Sequence, residues 1–173
     1  MRDTNPKENI VNKVAESRLV TLDLEQFYPT FTTTGLDLKD FLFMEMILKE
    51  KDFREKIDQH DWTAYQDKHV AVFCSTEAIL PMWAYMLVAA KLAAYASDVY
   101  QGSTEELLKK QFLENIAQID PTAFEGKRVV VKGCGEKQIP PYAYLGISNK
   151  LLPFVKSLMY GEPCSTVPVF KKK

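Results

Sequence analysis

The sequence predicts an α/β protein: three layers around a mostly parallel sheet of about five strands, built from a duplicated βαβ-type unit. Three observations carry this expectation. Residues 48–102 match residues 107–161 at an offset of 59 without a gap, with 19 of the 55 pairs identical. Such a match is one supersecondary unit used twice. Apolar runs alternate with helical spacings along both copies, as right-handed βαβ units require. The runs HVAVF (69–73) and RVVVKG (128–133) show little apolar–polar alternation, which fits strands covered on both faces.

The elements follow in order. Residues 6–16 read as a short amphipathic helix. RLVTLDL (18–24) reads as a strand from its β-branched and leucine alternation. YPTFTTTG (28–35) clusters Pro, Thr and Gly and is expected to be a connection or an edge ribbon. Leu42, Met46, Phe53 and Ile57 give residues 38–60 helical spacing, with a break near Lys51. Each copy then repeats one pattern. A helix (51–60, 107–118) ends near an Asp, and a turn follows (HDWTAYQDK, IDPTAFEGK). A strand comes next (69–73, 128–133), then a loop (CSTEAIL, CGEKQI). Pro81 or Pro140 opens a helix running to about Ala96 or Val155. A short strand closes each copy at 98–102 and 157–161.

Composition bounds the function. A chain of 173 residues, 46% apolar and 26% charged, is that of an ordinary globule and is expected to form a single domain, 1–173. A net charge of −1 speaks against nucleic acid or membrane surfaces as partners. The first twelve residues, MRDTNPKENIVN, have no apolar signal region, and the apolar run Ile79–Ala90 is too short to span a bilayer. A cytoplasmic location is therefore expected. Three cysteines, an odd number, then argue for free thiols or a metal rather than a disulfide framework. The helix 81–96 is apolar nearly all round. It is either a central helix or one covered in part by a second copy of the chain, a homodimer.

The chemistry is expected at the carboxyl ends of the strands, where open parallel sheets place their ligands. Cys74 and Cys134 each follow a strand, and Cys164 follows the last one; Cys-Ser-Thr occurs at both 74–76 and 164–166. Three readings compete. The three thiols converge on zinc or iron, helped by Asp23, Glu77 or Glu136, with Ser75 and Ser165 adjacent. Alternatively, one Cys acts as a nucleophile or redox group with a Glu. Otherwise the thiols are buried packing groups. Against a shared chemistry, Cys74 aligns with Gly133 and Ser75 with Cys134. Glu77 and Glu136 align; a carboxylate near a helix N-terminus is expected to cap it. KGCGEK (132–137) has backbone amides suited to an anion, yet it matches neither a P-loop nor a dinucleotide turn. His60 and His69 align with Ile119 and Arg128, so both are expected at the surface. Tyr85 and Tyr144 are expected to serve the same backbone feature twice.

VTLDLEQFYP, LKEKDFR, CSTEAILPMWAYML, KGCGEKQIPPYAY and MYGEPCSTVPVFKKK together resemble the uncharacterised bacterial family called domain of unknown function 2480. The resemblance covers nearly the whole chain and implies no established activity. It does imply a gene context beside iron–sulfur cluster assembly of the sulfur-mobilisation type, with assembly proteins as partners. The leading expectation is accordingly a non-catalytic, metal-binding accessory protein using Cys74, Cys134 and Cys164. An enzyme with a Cys/Glu site and a dimeric scaffold with buried thiols are the alternatives.

Overall fold

The computed structural model describes residues 19–133, 135–162 and 165–173. The helix expected over 6–16 lies outside them. The five expected strands are all present: β1 (Leu19–Asp23), β3 (His69–Phe73), β4 (Asp98–Gln101), β5 (Arg128–Lys132) and β6 (Ser157–Glu162). Two more join them, β2 (Thr33–Asp37) and β7 (Ser165–Lys171). The strands do not share one sheet. β2-β3-β4 form a three-stranded parallel sheet, and β1-β5-β6-β7 a four-stranded one that is parallel except for β7.

The chain divides into two compact units. One, Pro29–Phe112, holds the three-stranded sheet with helices α1 (Glu50–Gln59) and α2 (Met82–Leu92). Its core joins Leu36, Val70 and Val72 of the sheet to Phe53 and Ile57 of α1 and to Ala84, Val88 and Leu92 of α2. The other unit comprises the described residues 19–28 and 113–173 and holds the four-stranded sheet with helix α4 (Pro141–Leu151). Val129, Val131, Ala143, Ile147 and Leu151, the repeat partners of that first core, are buried there. Helix α3 (Thr104–Ala117) supplies residues to both units. In the second, Leu113 meets α4 at Gly146, where a Cβ would stand 3.0 Å from its Cδ2.

The repeat identities have local causes. Asp61 and Asp120 open the 3-10 turns Trp62–Tyr65 and Pro121–Phe124 and accept the N–H of Thr63 (3.0 Å) and Thr122 (2.9 Å). Gly102 and Gly161 have φ of +143° and +120°, where an L side chain is strained. Lys91 and Lys150 both reach back to the preceding helix, Lys91 to Asp58 (2.7 Å) and Lys150 to the Ala117 carbonyl (2.6 Å).

The structure also extends the repeat. β1 ends in Leu22-Asp23-Leu24 and a 3-10 turn closing at Phe27; β2 ends in Leu36-Asp37-Leu38 and a 3-10 turn closing at Phe41. Each Asp side chain accepts an N–H two residues on. β1 pairs with β5 as β2 pairs with β3. The repeated unit therefore has three parallel strands, and the first strand of each copy lies near the amino end of the chain.

Candidate functional site

Each sheet presents a set of polar side chains at the carboxyl ends of its strands. In the three-stranded sheet, Asp37 ends β2, and its Oδ1 accepts the N–H groups of Lys39 and Ser75, both at 3.1 Å. Burial alone would raise its pKa. The Ser75 hydroxyl, the two amides and the Lys39 charge outweigh this and lower it. Cys74 follows β3 half-buried, with its Sγ 3.3 Å from Thr76 Oγ1. That hydroxyl donates to the Glu45 carbonyl at 2.9 Å, which joins the loop after β3 to the turn at 43–47. Tyr85 stands near Cys74, and burial, then a charge at Cys74, pushes its hydroxyl pKa up.

In the four-stranded sheet, Asp23 ends β1 and accepts the Glu25 N–H at 3.0 Å. Lys132 at the end of β5 lies 3.7 Å from Asp23 Oδ2 and 3.7 Å from Glu162 Oε1, so one cation joins the exits of β1, β5 and β6. The Glu25 carboxylate lies over Gly135, where any Cβ would strike it, and accepts the Lys137 N–H at 3.4 Å. The loop read as an anion cradle thus receives a carboxylate of its own chain.

The sequence-derived site residues fall in both units. Cys74 and Ser75 belong to the three-stranded sheet. Cys134 and Cys164 lie outside the described residues; their neighbours Gly133, Gly135, Glu162 and Ser165 belong to the four-stranded sheet's unit, as does Asp23. Among the described residues, no group of three or more His, Cys, Asp or Glu side chains is arranged to hold a metal ion.

Glu77 and Glu136 do not cap their helices. Both are exposed, and α2 and α4 begin behind Pro81 and Pro140 with no side-chain cap. Leu80 and Ile139 are buried between each carboxylate and its helix, so the loop is anchored by apolar burial. The tyrosines diverge as well. The Tyr144 hydroxyl occupies the space where a Cβ on Gly133 would project, whereas the matched position 74 carries the thiol beside Tyr85. The Cys74/Gly133 mismatch in the alignment has this steric origin.

His60 and His69 are less exposed than their alignment suggests. His60 Nε2 lies 3.1 Å from the Tyr65 hydroxyl, and its ring meets Phe41 and Trp62 edge-on. His69 stacks on Phe31 at 3.9 Å. Sequence reasoning also missed an open cleft of about 430 Å³ beside β2, lined by Asp37, Asp40, Lys56, His60 and Tyr65. The signal that could have found its edge is the LDLxxF match between residues 22–27 and 36–41.

These features define an α/β protein of two units with mostly parallel sheets, each with a carboxylate-bearing strand edge. The chain belongs to the family described as "Protein of unknown function (DUF2480)", whose sequence model matches residues 8–172. Neither the curated proteins nor the solved structures gave a match. Among the described residues, no helix is long and apolar enough to cross a membrane.

Proposed function

We propose that the protein is a non-catalytic accessory protein that holds zinc, iron or a nascent cluster at the strand exits of the four-stranded sheet. Cys134 and Cys164 would be its thiolate ligands, and Asp23 or Glu162 a neighbouring carboxylate. One observation carries the reading. The sequence neighbours of both cysteines, Gly133 and Glu162, stand at the ends of adjacent strands β5 and β6, where Lys132 draws Asp23 and Glu162 together. Cys74 belongs to the other unit and is partnered by Thr76. The link to iron–sulfur assembly rests on the gene context that the family resemblance implies. The rival enzyme reading needs a thiol beside a carboxylate; at Cys74 the neighbour is a hydroxyl, and Glu77 is exposed.

The test is elemental analysis and a visible absorption spectrum of protein purified without oxygen. About one zinc or iron per chain is expected, lost in Cys134→Ser and Cys164→Ser and retained in Cys74→Ser. Metal-free wild-type protein, or metal lost only with Cys74→Ser, would overturn the reading.

A further inference from the structure

The internal repeat supplies a control for reading the surface, because the same helix occurs twice. On α2 the exposed stripe is Met82, Met86, Ala89, Ala90 and, just past the helix end, Ala93, with Ile79 before it. Ile79 is 94% exposed, Met82 70% and Met86 71%. On α4 the matching stripe is Pro141, Leu145, Ser148 and Asn149; wherever that stripe is polar, α2 carries alanine. A second apolar group adjoins the loop leading into α2. Met44 (77% exposed), Met46 and Ile47 project from the turn that Thr76 ties to that loop through the Glu45 carbonyl.

We infer that this face of α2, with the 43–47 turn, is the surface on which a second copy of the chain docks, making a two-fold homodimer. Three observations select this occupant. Ile79, Met82, Met86, Met44, Met46 and Ile47 together expose an area on the order of the ~800 Å² per partner that a standard interface buries. Isolated surface apolars are ordinary, but a group of this size is not. The helix stripe is also uncharged: the one charged residue of α2, Lys91, is held by Asp58 at 2.7 Å. An uncharged helix stripe does not select a basic or acidic partner, and it can face its own copy across a two-fold axis. Finally, the alanines at 89, 90 and 93 let two helices approach closely, while flexible methionines fill an irregular seam. The inference is independent of the metal reading, since none of its residues is among the proposed metal ligands.

The experiment is sedimentation equilibrium of the full chain from about 1 to 100 µM. Wild type is expected at twice the 19.8 kDa chain mass. Met86→Glu is expected at the chain mass, with dimerisation at least ~100-fold weaker. Met82→Lys, at the exposed start of the helix, is a second probe should Met86→Glu lose its circular dichroism. Leu145→Glu, at the matching place on α4, is expected to leave the dimer intact. A wild-type chain at 19.8 kDa throughout, or folded Met82→Lys and Met86→Glu variants that both dimerise like wild type, would overturn the inference.

Discussion

Asp98 shows how one carboxylate organises its surroundings. Its Oδ2 accepts hydrogen bonds from Lys110 (2.8 Å) and Gln111 (2.9 Å), its Oδ1 accepts the Val99 N–H at 3.0 Å, and His69 Nδ1 lies 3.8 Å away. Burial acts to raise its pKa. The hydrogen bond and charge of Lys110, the Val99 amide and Gln111 prevail and lower it. A folded pKa below the unfolded value means that the ionised group binds fewer protons in the folded state than in the unfolded state near that pH. The contribution is therefore complete above ~3.9 and is lost as pH falls through the lower folded pKa. Asp98→Asn should cost about 1 kcal/mol at neutral pH, and the cost should fade below about pH 3.9. Urea unfolding at pH 7 and pH 3 measures it; a difference unchanged between the two would exclude this role. The matched position in the other copy is Ser157, so this network is one the repeat does not share.

At the scale of the element, β7 is an exposed edge of the second sheet. It lies at the sheet's edge, with Val167 and Val169 60% and 61% exposed. Such an edge invites a further strand, and Pro168, which has no N–H, stands between the two valines. Pro168→Val should leave the fold intact and produce a run of three exposed valines. Light scattering at 37 °C should then show faster aggregation than wild type, and an equal rate would remove Pro168 from that role. The elements that were legible in the sequence owe this to local pattern: the valine runs of β3 and β5 and the period of α1 each depend on a few neighbouring residues. β2 was less legible because Thr33, Thr34 and Gly35 carry turn composition. Pairing with β3, from Thr33–His69 to Asp37–Phe73, is what makes it a strand. The division into two sheets was hidden for the same reason, since partner choice lies in residues far apart in sequence. At the site, Asp23 was legible as the end of a strand. Lys132, Glu25 and Asp37 were not, because their roles come from strands that become neighbours only after folding. The capping expected of Glu77 and Glu136 failed where buried Leu80 and Ile139 fixed the loop first.

At the scale of the whole molecule, the order of strands along the chain bears on how it folds. One unit is a continuous segment, Pro29–Phe112, and its β2–β3 pairing joins Thr33 to His69. The other needs β1 to find β5, Leu19 to Arg128, with the entire first unit between them. Closing a loop about three times longer costs about 1 kcal/mol more in chain entropy, before any contact compensates. The β1–β5 pairing should therefore form after the rate-limiting step, and β2–β3 at or before it. Leu22→Ala in β1 and Val72→Ala in β3 both remove buried apolar groups, from side chains 7% and 4% exposed. Stopped-flow refolding separates them: Leu22→Ala should mainly speed unfolding and leave the refolding rate within about two-fold, whereas Val72→Ala should slow refolding. Equal slowing by both would mean that the two sheets form together, and that the long return of the chain is made before the barrier rather than after it.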